Sequence, residues 1–496
     1  MPLTKPPFAK MLIANRGEIA CRVIRTLREM GIVSVAIHHP SEIGAPHVAM
    51  ADEALAISGA TPVAAHLDGA AIIDAARRSG AEAIHPGYGF LSENAGFAKA
   101  VAQAGLVFVG PDAETIHLMG DKLRARAFAK AQGVPVSPSA IMMDDVATFL
   151  AEAEAIGFPL LVKAAAGGGG KGMSIVRSAD ELAARSSAAS TEAARYFSDG
   201  RVYAERYVER PRHIEVQVLG DGAGGVLHLF ERECSVQRRF QKIIEEAPAP
   251  DLPPSLRNAM REAAVRLAQS ARYRNAGTVE FILAPDGQFF FLEMNTRLQV
   301  EHAVTEMITG LDLVRCQIDI AAGKPLPLQQ NDVKASGCAI ECRICAEDPE
   351  RDFLPETGRI LGLETPAGPT LRFDSGVRIG QSVTADFDSL MAKLVVHGAD
   401  RAQAIERMTA ALSHLAILGV TTNVDYLARL MKLEAFANGD LHTGFVLEHA
   451  GELARPEACE PDSDLALIVA ALGDPDFRRL VFDVPEPYAT MGGWRN

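Results

Sequence analysis

No apolar stretch in this 496-residue sequence approaches the length needed to span a membrane as a helix. Positive charge is also in short supply. Lys and Arg number 49 against 63 Asp and Glu, a formal net charge of −14. That balance excludes sequence-independent binding to nucleic acid, while leaving room for a local basic groove around a small anion. Cysteine is sparse, at 7 residues, so the thiols are expected to be reduced rather than to form a disulfide framework. The N-terminal M-P-L-T-K-P-P-F-A-K leads into only four apolar residues before Asn15-Arg16, which is no secretory signal, and a cytoplasmic protein is expected. Tandem repeats and low-complexity tracts are absent. With 48% hydrophobic and 23% charged residues, the composition is that of a globular enzyme of two to four domains.

Two common nucleotide fingerprints are missing as well. The turn Asn15-Arg16-Gly17-Glu18 lacks G-x-G-x-x-G, which disfavours a nicotinamide or flavin cofactor. The glycine-rich stretch A-A-A-G-G-G-G-K-G-M (164–173) is not a P-loop: Ala165 stands at the first glycine position, and Gly172 where a magnesium-binding hydroxyl belongs. Its flanks, 158–163 and 173–177, read as short strands, so the glycines join two strands. Such a hairpin either folds over phosphates, offering backbone N–H groups unobstructed by Cβ atoms, or is a surface loop.

Strands and helices alternate at the start: a strand at 11–14, a helix at 18–30, and strands at 33–38, 83–85 and 107–109. This predicts a doubly wound α/β domain to about residue 115. Paired strands follow at 200–205, 213–219 and 226–231, with Gly220-Asp221-Gly222 as a turn. A strand-rich segment begins near 335 and ends in helix-like sequence around 401–415. Cys338, Cys342 and Cys345 have an iron–sulfur-like spacing, but the segment reads as a strand. Cys338 and Cys342 then share a face and Cys345 points away, which rules out three ligands to one cluster.

The densest chemistry lies in T-V-E-F-I-L-A-P-D-G-Q-F-F-F-L-E-M-N-T-R-L-Q-V-E-H (278–302). Asp286-Gly287 suggests a two-residue hairpin turn, which sets Glu280 opposite Glu293. Two carboxylates among phenylalanines repel and raise each other's pKa unless a cation sits between them. Asn295 falls on the same face, and such oxygen donors suit Mg²⁺ carried by a nucleotide. Arg297, Gln299 and Glu301 continue the parity, placing an anion fork and a base in the same row. A solvated strand face with salt bridges accounts for one or two of these residues, not for all of them. Elsewhere, Lys122 and Lys163 are phosphate ligands or surface lysines, and Glu205 binds ribose hydroxyls or pairs with an arginine. Arg238 to Lys242 is an anion site or a solvated charge run, and His213 is uninformative alone.

Taken in order, I-A-N-R-G-E-I-A (13–20), I-H-P-G-Y-G-F-L-S-E-N (84–94), G-G-G-G-K-G-M (167–173), R-H-I-E-V-Q-V-L (212–219), Q-R-R-F-Q-K-I-I-E-E-A-P (237–248), E-M-N-T-R-L-Q-V-E-H (293–302) and E-C-R-I-C-A-E-D-P (341–349) resemble the biotin carboxylase family across residues 8–446. The resemblance implies an α/β and α+β, ATP-grasp fold. A Rossmann-like domain would occupy 1–115, an ATP-grasp domain 116–330 with a mobile lid at about 137–208, a C-terminal domain 331–446, and an extension 447–496. It implies carboxylation of biotin with ATP, Mg²⁺ (or Mn²⁺) and bicarbonate, through carboxyphosphate. Lys122, Lys163, Gly169, Gly170, Glu205, Arg206, Tyr207, Val208, His213 and Gln237 would contact ATP, and Glu280, Glu293 and Asn295 would hold the metal. Bicarbonate would meet Arg297, Gln299 and the Val300 backbone, close to Lys242. Glu301 would be the base, and Arg343 would stabilise the biotin enolate.

Four positions depart from the family's frequent residues: Phe240 for His, Arg206 for Lys, Cys345 for Asn and Phe387 for Tyr. None is a proposed metal ligand, base or bicarbonate arginine. The A-M-K-M-like biotin attachment hairpin is missing, and Met431-Lys432 sits in helix-like sequence. Biotin is therefore expected on a separate carrier protein or domain, with a carboxyltransferase as a further partner and self-association into a homo-oligomer. The G-G-W-R-N ending is similar to the region after biotin carboxylase in acyl-CoA carboxylase α chains, which favours an acyl-CoA system. Two other readings stay open, a different ATP-grasp carboxylate–amine ligase and a non-catalytic nucleotide-binding assembly subunit.

Overall fold

Ile19, Ala20, Val23, Ile24 and Leu27 recur at helical spacing, and all five are buried in the helix Gly17–Met30. The helix stops at Gly31, whose φ of 70° lets its N–H turn back to the carbonyls of Leu27 and Arg28. This is a computed structural model of the chain, and it describes residues 6–142, 145–165, 173–197 and 199–455. Among these, Lys10–Ile13 (β1), Val33–His38 (β2), Glu53–Ala56 (β3), Ala83–His85 (β4) and Val107–Phe108 (β5) form a parallel sheet in the order β3-β2-β1-β4-β5. Its central strand is covered on both faces. Met11 and Ile13 pack with the Gly17–Met30 helix, while Leu12 packs with Val35, Ile37, Ile72 and Ile84. Burial on both sides explains why β1 reads as an unbroken apolar run.

Ser139–Ile141 (β6), Leu160–Ala164 (β7), Ser174–Val176 (β8) and Val202–Arg206 (β9) make a second, antiparallel sheet in the order β6-β9-β7-β8. β7 and β8 are thus the paired flanks of the glycine stretch, as their apolar sequence predicts. Gly169 and Gly170 lie outside the described residues. Leu160, Val162 and Ala204 enter the core of this sheet, which sends Lys163 and Glu205 to its other face.

The third sheet runs Arg212–Asp221 (β10), Val226–Arg238 (β11), Gln241–Ala247 (β12), Arg274–Leu283 (β13), Phe289–Asn295 (β14), Cys338–Cys345 (β15), Leu371–Ser375 (β16) and Leu390–Gly398 (β17). Their spatial order is β14-β13-β10-β11-β12-β15-β17-β16. Along β10, Ile214, Val216 and Val218 enter the core, so His213, Glu215 and Gln217 share the opposite face. In β15, Cys338 and Cys342 enter a core with Ile340 and Ile344. A register irregularity separates Ile344 from Cys345, and no three-thiol site exists among the described residues.

The β13–β14 hairpin corrects one expectation. The turn is not a two-residue one: Ala284 pairs with Gln288, leaving Pro285-Asp286-Gly287 as a three-residue loop with Gly287 at φ 85°. This shifts the pairing by one residue, so that Phe281 faces Phe291. A bulge at Leu292 restores it, and Glu280 faces Glu293 after all. The fully buried Phe281 meets Phe289 edge to face, with ring centroids 5.4 Å apart. Phe281→Ala is expected to lower stability by about 3–5 kcal/mol, measured from the shift in the urea unfolding midpoint.

Candidate active site

The described residues enclose a cavity of about 550 Å³ lined from each of the three sheets. Tyr88 enters from the loop after β4, Lys163 and Glu205 from the second sheet, and His213, Lys242, Glu280 and Arg343 from the third. The Lys242 ammonium is the electrostatic centre. It lies 2.6 Å from Glu215, 3.2 Å from Glu280 and 2.5 Å from Glu301. Burial alone would drive the proton off Lys242, yet these three carboxylates raise its pKa well above the ordinary value. Burial also opposes the charge on Glu301, but Lys242, Arg343 and Arg232 outweigh it and hold this carboxyl well below the usual range. Lys242 belongs to the run Arg238–Lys242, which reads as either an anion site or a solvated face. The run is divided: Arg239 is exposed beside Asp352, whereas Lys242 is interior.

Glu280 is not raised in pKa, because a cation lies beside it. Burial pushes it up, but Lys242 and His213 prevail and lower it. The His213 Nε2 lies 2.8 Å from Glu280 Oε2, and the Asn295 amide donates to Oε1 at 2.7 Å. Across the register, the partly exposed Glu293 is 3.6 Å from Lys122. Glu280, Glu293 and Asn295 all line the cavity, and their carboxylate and amide oxygens are hard donors of the class that suits Mg²⁺. Two groupings among the described residues have metal-like spacing, His213 with Glu215 and Glu280, and Glu215 with Cys234 and Glu301. In both, Lys242 already supplies the positive charge.

The straight row expected beyond Asn295 is also corrected. β14 ends there, residues 296–300 form a loop, and Glu301 is the N-cap of the helix His302–Thr309. The side chains nevertheless gather. Gln299 Nε2 donates to Glu280 at 2.9 Å, and Arg297 donates to Gln299 Oε1 at 2.9 Å and to Asn295 Oδ1 at 3.0 Å. The carbonyl of Val300 accepts from the fully buried Lys393 at 2.6 Å.

Arg343 bridges Glu301 Oε2, at 3.0 Å, and Glu245, at 2.6 Å through Nε. Glu245 is pushed up to about 7, by burial first, against the pull of Arg343. Glu341 lies directly opposite Glu245 in the register, and burial raises its pKa well above the ordinary carboxyl range.

At the other end of the cavity, Glu205 pairs with Lys163 and also with Arg126, at 2.7 Å. The cations outweigh its burial and lower its pKa. Its sequence neighbours Arg206, Tyr207 and Val208 line the cavity with Gln237 and Phe240. Arg206 donates to the carbonyl of Ile156 at 2.8 Å, so its head group is held by the helix Val146–Ile156. Phe387 carries the Arg16 guanidinium 3.9 Å above its ring. Cys345 lines the cavity wall, its N–H held by Asn423 at 2.9 Å.

Sequence reasoning missed Glu215, Arg232, Glu245, Glu341 and Lys393, all 0% exposed. For Glu215 a signal existed: R-H-I-E-V-Q alternates polar and apolar residues in a strand expected to be central, which demands partners for the polar face.

The fold and the site define an ATP-grasp enzyme, an ATP-dependent ligase. Comparison with known proteins narrows this further. Residues 7–116 match the family model "Biotin carboxylase, N-terminal domain", residues 121–329 "Carbamoyl-phosphate synthase L chain, ATP binding domain", and residues 341–448 "Biotin carboxylase C-terminal domain". The biotin carboxylase of Nostoc sp. is 50% identical over 442 residues, 89% of this chain and 99% of that protein. The mitochondrial methylcrotonoyl-CoA carboxylase subunit alpha of Dictyostelium discoideum is 46% identical over 493 residues, 99% of this chain and 70% of that protein. Against the corresponding Glycine max subunit, the chain spans 61% of the relative's length. A crystal structure of the biotin carboxylase domain dimer of Hydrogenobacter thermophilus 2-oxoglutarate carboxylase, bound to MgADP, ADP and bicarbonate, superimposes with a TM-score of 0.88 at 45% identity, covering 91% of this chain and 99% of that one. The chain belongs to the biotin carboxylase family.

The carboxylates around Lys242 carry the next prediction. Lys242→Met removes the cation shared by three buried carboxylates, leaving Glu215 with Arg232 and Glu301 with Arg343, and is expected to cost about 3–5 kcal/mol near neutral pH. Glu280 and Glu301 are held low in the wild type; without the ammonium their pKa values rise and they protonate as the pH falls. The deficit should therefore shrink on acidification, as urea unfolding at several pH values will measure.

Proposed function

We propose that this chain carboxylates biotin presented by a separate carrier protein or domain, the first half-reaction of a biotin-dependent carboxylase of acyl-CoA type. The observation that carries the reading is Glu301. It is fully buried yet held ionised, with Lys242 at 2.5 Å and Arg343 at 3.0 Å. A base placed so next to a cationic pocket suits a small anion that must lose a proton.

In this reading, bicarbonate binds Arg297, Gln299 and the Val300 backbone, close to Lys242. Glu301 takes its proton, and a bicarbonate oxygen attacks the γ-phosphorus of ATP, releasing ADP and forming carboxyphosphate. Cleavage of its C–O bond gives CO₂ and phosphate. The phosphate removes the N1′ proton of biotin, Arg343 steadies the enolate oxygen, and N1′ adds to CO₂. Lys122, Lys163, Gly169, Gly170, Glu205 to Val208, His213 and Gln237 are proposed to hold ATP. Glu280, Glu293 and Asn295 are proposed to hold Mg²⁺, which supplies charge neutralisation at the phosphates.

We also propose the division 1–115, 116–330, 331–446 and 447–496, with residues of about 137–208 as a lid that keeps water from carboxyphosphate. The described strands within that range form the separate sheet β6-β9-β7-β8, which supports the lid; residues 456–496 lie outside the described part. A homo-oligomer is proposed from the Hydrogenobacter domain, which is a dimer. A carrier and a carboxyltransferase as partners, and the acyl-CoA type, rest on likeness to methylcrotonoyl-CoA carboxylase alpha subunits. The free cysteines, five of them buried, agree with a reducing, cytoplasmic setting.

Hydrolysis of ATP by the purified chain with Mg²⁺ is expected to require bicarbonate and to rise with free biotin. Glu301→Gln should lower that turnover by about 10²–10⁴-fold while ATP still binds. Bicarbonate-independent hydrolysis untouched by the substitution would sink the reading.

A further inference from the structure

Residues 84–94, I-H-P-G-Y-G-F-L-S-E-N, form a long signature, yet of these only Tyr88 and Gly89 line the cavity. The loop is rigidly built. The Asn15 amide donates to the carbonyls of Pro86 and Tyr88, both at 2.7 Å. Gly87 and Gly89 take positive φ values of 62° and 66°, and a Cβ at Gly87 would come within 2.7 Å of the Asn15 amide nitrogen. Asn94 caps the next helix, Ala95–Gln103, accepting from the Phe97 N–H at 2.8 Å. The residue this framework presents is Glu93, immediately before that cap.

Glu93 reaches across to a segment more than two hundred positions away in the chain. Its Oε1 accepts from the backbone N–H of Thr296 at 3.0 Å, and its Oε2 from Arg297 Nε at 2.9 Å. The guanidinium has five donors in a fixed plane. With Nε spent on Glu93, the two Nη groups are left along the edge beside Gln299 and Asn295. A carboxylate behind a guanidinium thus decides which edge the anion meets. Burial works against the charge on Arg297, and Glu93 is the first of the carboxylates that counter it.

We infer that Glu93, carried by the N-terminal parallel sheet, is the positioning residue that orients Arg297 and the loop after β14 for bicarbonate. The inference rests on the functional reading above. Glu93 touches no reacting atom itself. It makes bicarbonate affinity depend on how the first sheet sits against the hairpin loop, and it gives the S-E-N part of the signature a role.

The test is steady-state ATP hydrolysis by the whole chain with Mg²⁺ and biotin, varying bicarbonate and ATP separately, for wild type, Glu93→Ala and Glu93→Gln. Losing charge-assisted bonds of this kind is expected to raise the bicarbonate KM by about tenfold or more in Glu93→Ala. The ATP KM and the melting temperature should stay at wild-type values. Glu93→Gln, which can satisfy only one of the two donors, should fall between wild type and Ala. An unchanged bicarbonate KM, or equal rises in both KM values with a lowered melting temperature, would overturn the inference while leaving the functional reading intact. Wild-type turnover that ignores bicarbonate would overturn the functional reading and this inference with it.

Discussion

A single buried ammonium, that of Lys242, lets the rest of the site exist. Glu215, Glu280 and Glu301 all approach it within 3.2 Å, and three carboxylates so close together cannot stay ionised in a low-dielectric interior without a cation. Lys242 comes from β12, Glu215 from β10, Glu280 from β13 and Glu301 from the cap of the following helix. The antiparallel sheet aligns these elements side by side, and the salt-bridge cluster links them above its core. Packing beneath that layer is apolar, with Ile214, Val216, Val279 and Phe281 in one cluster. The sheet's two faces therefore do different work, one stabilising and one chemical.

The cluster also sets the charge of the carboxylates around it. Glu301 is flanked by Lys242 and Arg343 and kept low. Glu245, on the far side of the same arginine, is pushed up to about 7 by burial. Charge is thus graded across a few ångströms: ionised beside the cavity, closer to neutral behind it. Like groups are separated in charge by their environment alone. Beyond it, Lys393 grips the Val300 carbonyl and pairs with Glu18, 3.4 Å away. The same glutamate accepts from the Tyr88 hydroxyl. The loop at 296–301 is accordingly tied to elements at both ends of the chain.

Much of this was legible in the sequence, for reasons that differ by residue. The parallel sheet was visible because β1, β2 and β4 are short apolar runs separated by helix-period segments. The pairing of Glu280 with Glu293 was also read correctly, but by two compensating irregularities. The three-residue turn shifts the register, and the Leu292 bulge shifts it back. Bulges depend on how the strand packs, so alternation alone does not reveal them. The same limit made the row from Arg297 to Glu301 look like a continued strand, when it is a loop entering a helix. Residues such as Glu341 and Lys393 escaped notice because a charged residue on a strand is normally taken as solvent-facing. Only the tertiary register shows that their faces meet inside.

The account turns on bicarbonate being the nucleophile at the γ-phosphorus, and oxygen transfer tests that directly. Turnover with ¹⁸O-labelled bicarbonate, ATP, Mg²⁺ and biotin is followed by mass analysis of the inorganic phosphate. Attack by bicarbonate leaves one of its oxygens on phosphorus when carboxyphosphate loses CO₂, so each phosphate released should carry one labelled oxygen. Phosphate with no labelled oxygen, its fourth oxygen supplied by water, would contradict the account, since water would then be attacking ATP and the carboxylate at Glu301 would serve another purpose.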